Sequence, residues 1–394
     1  MGKKRIIFVH TTGAWWDHRY YFKQMPALQE EFADITYMIK EDSSINDCVF
    51  DLVTLTEKRI RWARRTGGIN LFFLLFKSKH DAVQLCNIEL LPVGILLGIF
   101  SRKKVFYDCR EDHYHAMLHS KVWFPKWLRY CLGFGVKIIE FFASKTFTGF
   151  IDSDPAIYKF HNFVPKSKKM IFYNMALKTQ FSSSEIDRRN KNFDFTVLGS
   201  MSVRTGVLDV VKAVANLNQL GRHVTLKLIG DPSSDKKLFG QITQVIKNAN
   251  IQDKIKITGR VPYFRIPFEL ADCKIGIIPL LDIPKFRNNI ATKQFEYMAS
   301  EMPVIATDLP PQQLFIKDDF NGLHYQPGNV EELMSGMTRF LDNPSESKRM
   351  GENAVNKIKH NWNSESQQIK YIEFYKQRMA NQPYAENQLP PFEF

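Results

Sequence analysis

Lys293 and Glu296 stand three residues apart in the segment ATKQFEYMASEMPVIATD, residues 291–308. Phe295, Met298 and Ala299 fall at i, i+3 and i+4, the spacing of a buried helical stripe, which leaves Glu296 off that stripe in the first turn. Pro303 then opens an apolar run, PVIATD, that reads as a buried strand. A carboxylate so placed can accept hydrogen bonds from two neighbouring ribose hydroxyls, while the helix N-terminus and Lys293 face a diphosphate. The alternative is a solvated carboxylate favoured by the helix dipole.

A second group of reactive side chains lies early in the chain. The first apolar run ends in His10-Thr11-Thr12-Gly13, followed by Trp15, Trp16, Asp17 and Arg19. A glycine there lets the backbone approach a ligand closely. The run VFYDC ends in Asp108, and Arg110, Glu111, Asp112 and His113 follow it. Any of these can orient a polar substrate, although a loop aspartate is equally a helix cap. His113, His115 and His119 lie near Asp112, but no second ligand pair accompanies them, so no metal site is expected. Asp152-Ser153-Asp154 spells a D-x-D, yet it precedes Pro155 in the helix-starting position, where Ser153 or Asp154 caps naturally.

The elements that must position these groups recur with one grammar. Six short apolar runs occupy the first half (5–11, 35–40, 82–87, 104–109, 149–154, 169–174) and six the second (193–200, 224–231, 255–261, 274–280, 303–308, 322–328), with helical stretches between them. Continuous apolar strands separated by helices indicate parallel sheets of βαβ units. The expected class is therefore α/β, with two Rossmann-like doubly wound domains facing an interdomain cleft. The predicted bounds are 1–175 for the first domain and 176–360 for the second. A helix at about 361–380 is expected to pack back on the first domain, and 381–394 to form a poorly ordered, Pro-rich tail.

The length of 394 residues suits two cores rather than one. The formal charge of +13 is uneven: residues 1–175 hold 26 Lys and Arg against 17 Asp and Glu, and residues 176–394 hold 28 against 24. Between His119 and Lys145 the cations Lys121, Lys126, Arg129 and Lys137 alternate with Trp123, Phe124, Trp127, Tyr130 and Phe134. With the clusters Arg59–Arg65 and Arg102–Lys104, this pattern points to an anionic membrane surface. An ordinary amphipathic helix packed on the sheet is the alternative. No nucleic-acid motif accompanies the charge. Five scattered cysteines fit a reducing cytosol, and no signal peptide is apparent. The most apolar stretch, Leu90 to Phe100, is too short to span a bilayer. The expected location is the cytoplasm, with peripheral contact at the inner face of the cytoplasmic membrane.

Lys293, Glu296, Tyr297, Met298, Ala299, Pro303, Val304, Ile305 and Ala306 together resemble the K-x-x-E-Y-M-A-x-x-x-P-V-I-A segment of glycosyltransferase family 4, retaining enzymes of the GT-B fold, of bacterial surface-polysaccharide type. Gly199, Arg204 and Gly206 look like that family's phosphate-binding turn, and FTGFIDSDPAIYKF followed by MIFYNMALKTQF looks like its domain-closing strand pair. The resemblance implies that Glu296 holds the ribose hydroxyls and that Arg204 and Lys293 hold the diphosphate, stabilising charge on the leaving group. It places Arg260, Val261 and Tyr263 against the base, adds Gly13, Asn288 and Asn289 on the donor side, and puts His10, Asp17, Arg19 and His113 on the acceptor side. Asp108, Arg110 and Glu111 resemble a family loop near the sugar ring and join the catalytic candidates. No protein nucleophile is implied.

Two positions depart from the family pattern. A second acidic residue eight positions before Glu296 is replaced by Asn288, and the usual Lys before the turn glycine is Thr205. The implied function is transfer of a sugar from a UDP- or GDP-sugar to a saccharide or lipid-linked saccharide, with retention and with no cofactor required. A GT-B nucleotide-sugar epimerase and a non-catalytic nucleotide-sugar-binding scaffold stay open as alternatives. A nicotinamide dehydrogenase is disfavoured because no G-x-G-x-x-G follows either first strand.

Overall fold

A computed structural model of the chain describes residues 3–12, 15–31, 33–41, 48–56, 68–120 and 123–385. The described residues divide into two compact units, 3–174 with 365–385 and 175–364.

The first unit is built on a seven-stranded, wholly parallel sheet in the order β3-β2-β1-β4-β5-β6-β7. Its strands are β1 (Lys4–His10), β2 (Ala33–Lys40), β3 (Asp51–Leu55), β4 (Ala82–Leu85), β5 (Lys104–Cys109), β6 (Gly149–Asp152) and β7 (Lys169–Ile171). The sheet is apolar on both faces because helices cover both, as a parallel sheet requires. On β1, Ile6 and Phe8 enter a cluster with Tyr371, Phe374 and Tyr375 of the helix Ser364–Met379. Ile7 and Val9 enter the opposite cluster with Leu91, Val93 and Leu97 of the helix Leu91–Phe100. Each such side chain, once buried, contributes about 1.5–3 kcal/mol. Strand β3 is absent from the sequence reading: it is a sheet edge, paired only with β2, and its Asp51 and Thr54 break the apolar run.

The second unit carries a six-stranded parallel sheet in the order β10-β9-β8-β11-β12-β13. Its strands are β8 (Phe193–Leu198), β9 (Leu226–Ile229), β10 (Ile255–Ile257), β11 (Cys273–Ile278), β12 (Val304–Thr307) and β13 (Gly322–Tyr325). Phe195, Val197, Ile275, Ile277 and Ile305 form its core with Val210, Val214 and Leu217 of the helix Val207–Gln219.

In both sheets the strand order reverses beside the first strand, between β1 and β4 and between β8 and β11. The crevice beyond the strand ends at such a reversal is where doubly wound sheets bind ligands. The expectation of a loose tail from residue 381 needs correction. Tyr384 is buried against Phe374, with ring centroids 5.0 Å apart, and its N–H donates to the Ser167 carbonyl at 3.0 Å. Residues 386–394 lie outside the described residues.

Candidate functional site

In the second unit β8 ends at Leu198 and the chain turns at Gly199. A short 3-10 turn, Val203–Thr205, follows and is closed by its own side chains: the Ser202 N–H donates to the Thr205 hydroxyl at 3.0 Å, and that hydroxyl donates to the Ser202 carbonyl at 2.8 Å. Thr205, where a cation was expected, is thus a buried turn-closing residue. Gly206 has φ 67°, and a Cβ there would stand 1.8 Å from the Pro279 carbonyl oxygen, so no other residue fits. The helix Val207–Gln219 then begins with no side-chain cap on its first N–H groups. Arg204 is exposed beside it, with no side-chain hydrogen bond or ion pair among the described residues.

The helix Lys293–Ala299 faces this turn from the far side of the reversal. A Cβ on Gly199 would lie 3.6 Å from Lys293 Nζ, which places the ammonium against the turn after β8. Burial pushes the Lys293 ammonium down to about 8, with the Glu296 carboxylate pulling the other way. Glu296 is itself buried, at 8% exposure. The expected one-sided stripe is corrected here: every residue from Gln294 to Ala299 is buried, because the helix sits within the unit rather than on its surface. Tyr297 fixes the helix, accepting the Leu198 N–H at 2.7 Å and donating to the Ile277 carbonyl at 3.3 Å. Its ring occupies the space a Cβ on Gly276 would take, 2.4 Å away, so β8, β11 and the helix lock together at the reversal.

The remaining donor-side candidates surround this core less tightly. Arg260 is exposed, Val261 half-buried, and Tyr263 buried in the turn that opens the helix Ile266–Ala271. Gln180 donates to the Tyr263 carbonyl at 3.3 Å. Asn288 is exposed and Asn289 half-buried in the loop before Lys293, whose path is set by the Asp282–Arg287 ion pair. Gly13 lies outside the described residues.

The first unit treats its charges differently. Asp108, at the end of β5, is fully buried and receives Arg19 Nε at 2.9 Å and Gln24 Nε2 at 2.6 Å. Arg19 Nη1 donates to the Phe172 carbonyl at 2.7 Å. A π-helical turn, Tyr20–Gln24, carries this pattern: its wider i→i+5 bond from Gln24 N–H to the Arg19 carbonyl turns both flanking side chains toward Asp108. The network continues from Gln24 to Gln84 at 2.7 Å and from Gln84 to the hydroxyls of Tyr371 and Tyr375. Asp108 and Arg19 therefore occupy each other in the interior.

Above them, Asp17 receives Arg110 Nη1 at 2.6 Å. Burial opposes ionisation of Asp17, but Arg110 outweighs it and holds the carboxyl well below the usual range. His10 pairs with the Tyr37 hydroxyl at 2.9 Å, and burial pushes its imidazole down to about 4. Burial likewise pushes His18 to about 3. His18 lies against Asn174, whose side chain also accepts from Lys23 at 2.7 Å. Thr11 binds Asn87 and Glu89 at the end of β4, closing the first reversal. His18, Asn87 and Glu89 were not among the candidates read from the sequence, although Asn87 ends the predicted run 82–87 and Glu89 follows it. Glu111 is exposed, and His113, half-buried, begins the helix His113–Ser120, its imidazole lowered by burial.

The D-x-D is spent on structure: Asp154 caps the helix Pro155–Phe160 through the Ile157 N–H at 2.9 Å, and Asp152 points inward to His161. Asp112 pairs with His115 at 2.5 Å on the surface, while the side chain of His119 lies outside the described residues.

Comparison with known proteins bears on this geometry. Residues 178–357, which include Gly199, Arg204, Gly206, Lys293 and Glu296, match the family model of glycosyl transferases group 1. The matched stretch lies wholly within the second unit. Among curated proteins, alpha-D-kanosaminyltransferase of Streptomyces kanamyceticus is 26% identical over 158 residues, 40% of this chain. That stretch spans only 39% of the relative's length. Among solved structures, the sucrose-phosphate synthase of Thermosynechococcus elongatus superposes with a TM-score of 0.74 at 14% identity, covering 96% of this chain and all of that one. HepE of Anabaena, solved in complex with UDP and glucose, gives 0.74 at 14% identity, with 95% and 99% covered. These likenesses establish the fold, GT-B with two parallel-sheet Rossmann-like domains, as the strand grammar led us to expect.

Proposed function

We propose that the protein is a glycosyltransferase that moves a sugar from a nucleoside-diphosphate sugar to a saccharide or lipid-linked saccharide, with retention, in cell-surface polysaccharide or glycolipid synthesis. One observation carries the reading: the Lys293 ammonium sits against the Gly199 turn, with Glu296 one helical turn on, at the strand reversal of the group 1 domain. In this reading Glu296 accepts from the ribose hydroxyls, and Lys293, Arg204 and the uncapped N-terminus of Val207–Gln219 receive the diphosphate. Cations fixed there stabilise the negative charge that develops on the leaving diphosphate. Arg260, Val261 and Tyr263 border the base, and Asn288 and Asn289 the sugar. The UDP and glucose of the HepE structure support UDP-glucose as the first donor to try.

On the acceptor side, His10, Asp17, Arg110, Glu111 and His113 supply polar groups, with Arg19 and Asp108 holding them in place. The helix Lys126–Thr146 turns its large side chains outward: Trp127 is 67% exposed, and Tyr130 and Phe134 are each 61% exposed. Lys126 and Lys137 are exposed among them, and the neighbouring Leu91–Phe100 helix adds Ile99 and Phe100. Aromatics facing water beside cations suit an anionic leaflet that presents a lipid-linked acceptor. Among the described residues no helix is long and apolar enough to cross a membrane. Lys121 and the Arg59–Arg65 cluster lie outside the described residues.

The test is to incubate the protein with a panel of nucleotide sugars and candidate acceptors, following nucleotide release and glycosylated product. Product from one donor, lost in Glu296→Ala, supports the proposal. Binding without turnover over the panel would instead favour a nucleotide-sugar-binding scaffold.

A further inference from the structure

We propose that the first unit contains a zinc site formed by Cys109, Glu140 and His161, with Asp152 behind the histidine. Cys109 ends β5, Glu140 lies on the inner face of the helix Lys126–Thr146, and His161 closes the helix Pro155–Phe160. Three elements distant in sequence thus converge on one point, and the ligand atoms of the three residues all lie within 4.8 Å of one another. All three side chains, and Asp152, are at most 1% exposed.

The arrangement is incomplete as a hydrogen-bonded cluster. His161 Nδ1 is satisfied by Asp152 at 2.7 Å, but Nε2 has no hydrogen-bond partner. Glu140 Oε2 and Asp152 Oδ2 are also buried without one. His161 Nε2 and Glu140 Oε1 stand 3.6 Å apart. That is too long for a hydrogen bond. It matches two ligands on the edge of a tetrahedral zinc shell, roughly 3.3–3.7 Å apart from zinc–ligand bonds of about 2.0–2.3 Å. Two interior carboxylates, Glu140 and Asp152, flank the His161 imidazole, and buried charges persist only when paired or coordinated to a metal.

The donor set selects the metal. Thiolate, imidazole and carboxylate together suit zinc, whereas magnesium and calcium prefer oxygen alone. Asp152 on Nδ1 fixes the tautomer that offers Nε2 to the ion, the carboxylate–histidine arrangement found behind zinc ligands. A water or the buried Tyr107 hydroxyl, two residues back on the same face of β5, would supply a fourth ligand. Binding releases the Cys109 thiol proton, and any proton on His161 Nε2, to solvent. The site holds β5 to two helices immediately behind Arg110 and is separate from the donor residues.

The experiment is metal analysis of the full chain expressed with added zinc, together with the visible spectrum of protein expressed with cobalt. We expect about one zinc per chain, lost in Cys109→Ser and His161→Gln and retained in His115→Ala, which removes a surface histidine. Cobalt protein should show tetrahedral d–d bands and a thiolate charge-transfer band that Cys109→Ser abolishes. A chain without zinc, or zinc retained in both site variants, overturns the proposal. Should the variants fail to fold, wild-type cobalt protein decides: absence of the thiolate band overturns it.

Discussion

The two strand reversals handle charge in opposite ways. Beside β1 and β4 the ionic groups are consumed by one another: Arg19 by Asp108, Arg110 by Asp17, and His10 by the Tyr37 hydroxyl. Beside β8 and β11 Arg204 is exposed with no ion pair among the described residues, and burial lowers the Lys293 ammonium to about 8. A self-neutralised cluster holds its shape without ligand. A cluster with surplus positive charge lowers its free energy by taking up an anion. On the proposed reading, the first region is preorganised and the second is the one that takes up a diphosphate.

That contrast can be broken most forcefully at Asp108. Asp108→Ala leaves the Arg19 guanidinium buried and uncompensated and should cost about 3–5 kcal/mol of stability. Thermal and denaturant melts measure it, and donor affinity at low temperature should be unchanged. Lys293→Met should do the reverse, lowering kcat by about 10²–10³-fold with little change in melting temperature, as loss of a cation at a developing anion does. A large loss of stability in Lys293→Met, or a large loss of donor affinity in Asp108→Ala, would dissolve the distinction.

Acidity sharpens it further. With Lys293 near 8 in the free protein, the ammonium is charged below that pH and increasingly neutral above it. Donor binding should therefore weaken by up to about tenfold per pH unit above pH 8. Lys293→Arg, which stays charged, should flatten the profile. Calorimetry across pH 6.5–9.5 (about one point per half unit) reads this directly. The smallest effect concerns the helix Lys126–Thr146. Neutralising Lys126 and Lys137 should each reduce partitioning onto anionic vesicles by about 1 kcal/mol, read by sedimentation, with no change on neutral vesicles.

Much of the architecture was legible because buried parallel strands announce themselves as short apolar runs. All twelve such runs became strands, and the one strand missed, β3, is a half-exposed edge with Asp51 and Thr54 in it. The two regions differ in how far residue type discloses role. Lys293 and Glu296 face each other within one helix, so their spacing alone places them together. Asp108 and Arg19 are 89 residues apart, and nothing local indicates that they meet, still less that Gln24, Gln84 and two tyrosines complete the set. The cluster of Cys109, Glu140 and His161 was equally hidden, since its members come from a strand, a helix face and a helix end. Thr205 was readable as a departure from pattern, but its work in closing the turn needed the backbone.

The hydrogen-bond chain from Asp108 through Gln24 and Gln84 to Tyr371 and Tyr375 has a bearing on biosynthesis. Its last two members come from beyond residue 364, after the whole intervening unit has been translated. Until that helix emerges, Gln84 Oε1 lacks its two tyrosine donors and Phe106 lacks the ring stacked on it. The second unit is one stretch of chain, 175–364, whereas the first cannot complete this hydrogen-bond chain until translation supplies its closing helix.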